Sequence, residues 1–279
     1  MIESTQVTTN KVADHYDELD QFYREVWGNH VHHGYWKTGR ETPEQATVEL
    51  IKLMSSVVDI NKKQTVCDIG CGYGATARYL AENYGCQVQG FTISKNQIEF
   101  ANTQNTNSKN PTYKLVDWMH NGLDDHSIDF AYSIESSEHM PNFNQFFSEA
   151  SRVLKPGSKF AIYAWLEPKK TKPWMIRHLL QPLCDEGRMR LATVAEYENR
   201  LNENGFKLLN YTDISSSVSR TWTICIRRAA LKILTQRKYQ KFLFSNHSQN
   251  RDFAKTIVRI RAAFAVGAME YGLFIAQKL

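Results

Sequence analysis

From residue 65 onward, short apolar runs alternate with stretches whose apolar positions recur every three or four residues. TVCDI (65–69), QVQGFTI (87–93), TYKLV (112–116), IDFAYSI (128–134) and SKFAIYAWL (158–166) read as short buried strands, being rich in Val, Ile, Phe and Tyr. Between them ATARYLAENYG, SKNQIEFANTQN and NFNQFFSEASRVLKPG read as helices. Gly85 closes the first, Ser94 caps the second, and Pro156 and Gly157 end the third. The stretch 193–214 adds one more helix and strand, and MEYGLFIAQKL (269–279) is apolar enough to close the sheet. Strand, helix, strand at this spacing predicts βαβ units and an α/β fold with a parallel, doubly wound sheet.

Two parts stand outside the alternation. Residues 1–60 predict N-terminal helices, ADHYDELDQFYREVW and TPEQATVELIKLMSSVV, joined by the loop GNHVHHGYWKTGRE. Residues from about 215 to 264 predict an amphipathic helical insertion before the last strand. Both are expected to cover the ligand-binding edge, since open α/β sheets bind at the carboxyl ends of their strands. The chain is expected to be one domain, 1–279, with a helical lid (1–60), a cofactor-binding core (61–165) and an acceptor side (166–279).

With 279 residues and 42% hydrophobic content the chain can bury a large core. No uncharged apolar window of about 18 residues occurs, and the polar, acidic N-terminus has no apolar signal region. Cys67, Cys71, Cys86, Cys184 and Cys225 are scattered and form no CxxC pair, so neither a disulfide framework nor a zinc site is expected. A cytoplasmic location follows as the expectation. The formal charge of +5 is uneven: between Arg220 and Arg261 there are eleven Lys or Arg against one acid, Asp252. A segment of this kind faces an anionic membrane, a nucleic acid or a phosphorylated substrate, unless it is simply a solvated helix face.

The candidate chemistry begins at VCDIGCGYGA (66–75). Read as Gly70-x-Gly72-x-x-Ala75 the loop matches a dinucleotide fingerprint. Read as Asp68-x-Gly70-x-Gly72-x-Gly74 it suits a nucleoside cofactor without a pyrophosphate, whose ammonium wants carbonyls and a carboxylate. The next strand ends GFTIS, not in the acid that holds a dinucleotide ribose.

VCDIGCGYGATARYLAENYGCQVQGFTISKNQIEFA resembles the first motifs of class I S-adenosylmethionine-dependent methyltransferases, and GFTIS..Q resembles the branch with tocopherol, sterol and cyclopropane-fatty-acid methyltransferases. YDELDQFYREVWGNHVHHGYW and SIESSEHMPNFNQFFSEASRVLKPGSKFAI are similar to the tocopherol-methyltransferase-like group. The resemblance covers 16 to about 165 and implies a Rossmann-like, doubly wound seven-stranded sheet. It implies S-adenosylmethionine as cofactor and S-adenosylhomocysteine as product. Asp68, Gly70, Cys71 and Gly72 would line the methionine end, with Thr92, Ser94 and Gln97 around the ribose. Asp117 would accept from the adenine amino group and Trp118 would cover the ring. Tyr16 and Trp36 would wall the cofactor, and Ser133 would complete the site at the end of the fourth strand.

SIESSEHMP (133–141) puts Glu135, Glu138 and His139 at the carboxyl end of a buried strand, where they face the crevice. Methyl transfer needs in-line placement and a base where the acceptor carries a proton; these three are the candidate catalytic residues. Each also has a structural reading, as a backbone anchor, a helix starter or a satisfied polar side chain. His30, His32 and His33 lack neighbouring acids or cysteines, so no metal is expected; a lid loop with Tyr16, Tyr23, Tyr35 and Trp36 as aromatic walls is the better reading. The acceptor side mixes Trp, Leu, Met and Phe with arginines. That suits a small lipophilic acceptor with or without an anionic end, a prenyl or terpenoid lipid or a polycyclic natural product, methylated at C, O or N, with peripheral membrane contact open. A nucleic-acid methyltransferase is a rival, yet no DPPY- or NPPY-type tetrapeptide occurs and no nucleic acid is expected as partner. An NAD(P)-dependent oxidoreductase is another, without the ribose acid or a Tyr-x-x-x-Lys pair.

Gly72→Val is expected to abolish S-adenosylmethionine binding in calorimetry while the chain still folds; undiminished binding would remove this loop from the site.

Overall fold

The computed structural model describes residues 1–105, 109–244 and 253–279. Arg251 and Asp252 of the basic segment lie outside them. The expected strands form one sheet of β2 (Thr65–Ile69), β3 (Gln87–Thr92), β4 (Thr112–Leu115), β5 (Ile128–Ile134), β6 (Leu154–Leu166), β8 (Phe206–Asp213) and β9 (Glu270–Lys278). A separate ribbon pairs β1 (Ile2–Glu3) with β7 (Arg190–Leu191) antiparallel. In the large sheet the spatial order is β4, β3, β2, β5, β6, β9, β8. The pairs from β4 to β6 are parallel, and β9 runs antiparallel between β6 and β8. The chain steps outward from β2 to β3 and β4 and then returns to β5, so a crevice opens between the carboxyl ends of β2 and β5.

The strands are apolar on both faces because both faces are covered. Val66, Phe130 and Tyr132 face the layer shared with the N-terminal helices and the insertion. Cys67, Ile69 and Ala131, the alternate positions, pack with Phe146, Phe147 and Phe160 in the other layer. β4 departs from the expected buried strand: it is the sheet's outer edge, and Thr112, Lys114 and Leu115 are exposed. The helix before β6 is also shorter than expected. It ends at Val153, because Leu154 is already extended (ψ 135°) and pairs with Ile128.

The N-terminal stretch forms α1 (Thr9–Glu18), α2 (Asp20–Val26) and α3 (Pro43–Val58), with Leu19 breaking the first expected helix in two. At α3, Thr42 and Gln45 form a reciprocal capping box ahead of Pro43. Then follow α4 (Ala75–Tyr84), α5 (Lys95–Thr103), α6 (Phe143–Val153), α7 (Pro173–Met175), α8 (Gln181–Gly187) and α9 (Val194–Glu203). The insertion holds α10 (Ser215–Val218), α11 (Arg220–Thr235), α12 (Arg237–Phe244) and α13 (Phe253–Ala265).

Much of the insertion's basic charge is used inside the molecule. Glu25 on α2 receives Lys232 (3.2 Å), Lys238 (2.6 Å) and the Tyr239 hydroxyl (2.6 Å). Arg228 donates to the carbonyls of Val26 (3.0 Å) and Trp27 (3.3 Å) at the α2 C-terminus and pairs with Glu44 (3.2 Å). Arg259 pairs with Glu186 (2.6 Å). The insertion and the N-terminal helices are thereby clasped together over the crevice. Among the described residues no helix is long and apolar enough to cross a membrane.

Candidate active site

A cavity of about 710 Å³ lies at the carboxyl ends of β2, β3 and β5, roofed by α1. Gly70, Gly72, Thr92, Gln97, Asp117 and Trp118 line it. Two glycines have specific reasons to be there. At Gly70 (φ +78°) a Cβ would stand 2.3 Å from Ser136 Cβ, and at Gly72 (φ +52°) it would meet no atom within 4 Å and would occupy the cavity itself. A smaller recess of about 340 Å³ continues from the same loop toward Asn29, His30, Asp68, Cys71 and Thr76.

These residues fit S-adenosylmethionine. Asp68 Oδ2 and the Tyr132 hydroxyl are buried without a hydrogen bond of normal length. Burial pushes the Asp68 carboxyl up to about 7, with the Tyr132 hydroxyl pulling weakly the other way. A carboxyl in that state lacks a cation, which the ammonium of the cofactor's methionine end provides. At the far end Asp117 accepts from Thr9 Oγ1 (2.7 Å) and from Met119 N (3.0 Å), and each oxygen keeps a lone pair for an adenine amino group. Thr92 Oγ1 donates to Gln97 Oε1 (2.7 Å), leaving the Gln97 amide NH2 as the group a ribose hydroxyl would meet.

A second cavity, about 610 Å³, lies beside the first and shares Tyr16, Val31, Glu135 and His139 with it. Its other walls are mostly aromatic and apolar, among them Tyr23, Trp27, Trp165, Trp222, Met189 and Ile260, and no Lys or Arg lines it among the described residues.

Three titratable side chains at this junction are held in different states. Glu135 sits at φ +55° in the turn after β5. Its Oε1 accepts from His33 N (2.7 Å), His33 Nδ1 (2.9 Å) and Tyr271 Oη (2.8 Å), and its Oε2 from Trp165 Nε1 (2.9 Å). Burial alone would raise its pKa, but the His33 ring and its hydrogen bonds prevail and hold it at about 2. The Trp222 indole donates to His33 Nε2 (2.6 Å); an indole can only donate, so the His33 proton is on Nδ1, facing Glu135. Glu138, 1% exposed, accepts from Trp165 N (2.7 Å) and the Ser137 hydroxyl (3.1 Å). Burial dominates there and pushes its pKa up to about 8. His139 Nδ1 donates to the Arg188 carbonyl (3.2 Å), so its Nε2 is the acceptor for the Tyr16 hydroxyl (3.0 Å). Burial lowers the His139 pKa to about 4, and the ring is neutral at pH 7.

The structure separates some of the expected site residues. Trp36 is turned away: it lines a third cavity with Trp27 and Arg228, and Arg220 stacks on its ring at 4.8 Å, so it walls neither junction cavity. Tyr35 also lines neither. Ser94 is fully buried and spent on local structure, capping α5 through Gln97 N (3.1 Å) and donating to Asp17 of α1, so it is not among the ribose-side walls. Ser133 stands behind the wall, bonded to Ser136 (2.7 Å), and Ser136 is the serine that lines the cavity. Glu135 is a pinned anion whose pKa is held low, which makes it a poor proton acceptor. The residues that sequence reasoning missed are Ser136, Trp165, Trp222 and Tyr271. Ser136 lies within SIESSEHMP itself, next to Glu135, whereas Trp165, Trp222 and Tyr271 join the site from β6, α11 and β9.

Strand order, glycine loop and paired cavities define a class I S-adenosylmethionine-dependent methyltransferase. The chain belongs to the mycolic acid cyclopropane synthetase family, whose model matches residues 3–269, and it uses S-adenosylmethionine. It is similar to the chloroplastic tocopherol O-methyltransferase of Arabidopsis thaliana, 25% identical over 99% of this chain and 84% of that protein. It is also similar to the 27-O-demethylrifamycin SV methyltransferase of Amycolatopsis mediterranei, 28% identical over 98% of this chain and 99% of that one. The fold matches the crystal structure of mycolic acid cyclopropane synthase CmaA1 complexed with SAH and CTAB, with a TM-score of 0.82 and 20% identity over 97% of this chain and 98% of that one.

Glu135→Gln is expected to lower stability at pH 7 by about 2–4 kcal/mol, because an amide cannot accept all four donors. The folded pKa of about 2 lies below the ordinary 4.5, so Glu135 stabilises the fold above pH 4.5 and loses that contribution as pH falls toward 2. The gap between wild type and variant in urea denaturation should therefore be constant above about pH 5 and shrink below it.

Proposed function

We propose that the chain transfers a methyl group to an O–H or N–H centre of a small, uncharged, lipophilic acceptor held in the second cavity. The observation that carries this reading is the junction: two cavities share Tyr16, Val31, Glu135 and His139, so the methyl donor in one lies beside the acceptor in the other. S-adenosylmethionine, when bound, supplies an electrophilic methyl group on its sulfonium. Tyr16 lines both cavities and donates to His139 Nε2. The acceptor's proton passes to Tyr16 Oη as the Tyr16 proton passes to His139 Nε2, and no free tyrosinate forms, consistent with a Tyr16 pKa pushed well above its usual value by burial. Glu138 is largely protonated at pH 7 and supplies a hydrogen-bond donor that orients the acceptor heteroatom. Glu135 keeps a negative charge beside the sulfonium and braces the lid loop through His33.

A prenyl or terpenoid alcohol or phenol, or a hydroxylated polycyclic natural product, is the acceptor class favoured. The aromatic walls suit a flat or unsaturated body. The lack of a Lys or Arg in the lining among the described residues argues against the anionic acceptor that the basic segment suggested, and Arg228, Lys232 and Lys238 are already engaged by Glu44 and Glu25. The relatives named for O-methylation of tocopherol and of a rifamycin support the same class.

Radiolabelled methyl transfer to a panel of neutral phenols and terpenoid alcohols, with prenyl diphosphates alongside, tests this. Neutral acceptors are expected to be methylated, and His139→Asn to lower kcat about 100-fold or more with cofactor affinity kept. The rate should rise with pH as His139 loses its proton near 4 and fall as Glu138 loses its proton near 8, and Glu138→Gln should remove the alkaline fall. Turnover of diphosphates in preference, or full activity of His139→Asn, would overturn the reading.

A further inference from the structure

Helices α11 and α13 have two different faces. On the inside, Trp222 of α11 with Thr256 and Ile260 of α13 wall the second cavity. On the outside, Arg227, Leu231 and Leu234 follow the i, i+4, i+7 spacing of a single helical stripe. Leu231 and Leu234 are 62% and 79% exposed, and Val258 of α13 is 56% exposed. Arg237 and Lys241 on α12 are exposed as well. Among the described residues Arg227, Arg237 and Lys241 enter none of the ion pairs that fix Arg228, Lys232, Lys238 and Arg259. No described residue from 220 to 265 is an acid.

We infer that this face docks on an anionic lipid surface, with Leu231, Leu234 and Val258 entering the boundary between headgroups and acyl chains and Arg227, Arg237 and Lys241 meeting lipid phosphates. Charge complementarity selects the occupant. A second copy of this chain would set the same cations against each other, and a nucleic acid would match the cations but leave two exposed leucines with nothing apolar to cover them. The position of the face is consistent with the same occupant: the docked helices are the ones that wall the second cavity, so an acceptor dissolved in a bilayer would lie next to its binding site. Docking goes beyond the proposed acceptor class and is measured without any acceptor.

The experiment is flotation of the full chain with vesicles of phosphatidylcholine alone, or with phosphatidylglycerol as about one lipid in three. The chain is expected to float with the anionic vesicles, less so at high salt, and to stay behind with phosphatidylcholine alone. The double variant Leu231→Asp with Leu234→Asp, and separately Arg227→Glu with Arg237→Glu, should each weaken vesicle binding about tenfold or more. Both should bind S-adenosylhomocysteine as the wild type does, which shows that they are folded. Flotation indifferent to lipid charge, no flotation at all, or wild-type flotation of either double variant overturns the inference. So does a wild-type dimer that the leucine substitutions convert to a monomer.

Discussion

An ionised carboxylate buried in a protein costs several kcal/mol unless it is fully compensated, and Glu135 is such a group. Its compensation comes from the loop through His33, from β6 through Trp165 and from β9 through Tyr271. Through the His33 ring it extends to Trp222 on α11. One negative charge therefore fixes four separate parts of the chain in register. The N-terminal loop cannot lift away, nor α11 shift outward, without leaving that charge short of a donor. The two cavities on either side of Glu135 owe their shared wall to this arrangement.

The neighbouring carboxylate has the opposite fate for the same physical reason. Glu138 lies three residues on and is met by Trp165 N, the Ser137 hydroxyl and its own backbone amide, too little to offset burial with an anion already nearby. Two carboxyls close together in one turn are thus driven to opposite protonation states by the number of donors each can reach. His139, neutral because it is buried, offers a lone pair at the same junction. Helix α1 ties this chemistry to the cofactor cavity along its length, through Thr9 to Asp117, Asp17 to Ser94 and Tyr16 to His139.

The sheet was legible in the sequence because a strand covered on both faces leaves a local mark, a run of Val, Ile, Phe and Tyr. Helix ends were legible where a residue has a local reason to be there, as Ser94 and Gly85 do. The site was legible only in part, for the opposite reason. Whether a serine or a tryptophan reaches a cavity depends on partners far away in sequence. Ser94 is claimed by Asp17 and Trp36 by Arg220, 184 positions further along the chain. The basic segment was legible only in part, since Arg228, Lys232, Lys238 and Arg259 are balanced by Glu25, Glu44 and Glu186, acids that no local pattern connects to it.

The opposed protonation of Glu135 and Glu138 is the central claim, and carbon-13 NMR titration of glutamate side-chain carboxyls, with Glu135→Gln and Glu138→Gln as assignment controls, tests it most directly. One carboxyl should titrate near 8 and vanish in Glu138→Gln, while the carboxyl that vanishes in Glu135→Gln stays ionised down to the acid limit of the fold. Two glutamates titrating together near 4.5, or Glu135 carrying the high value, would contradict the account.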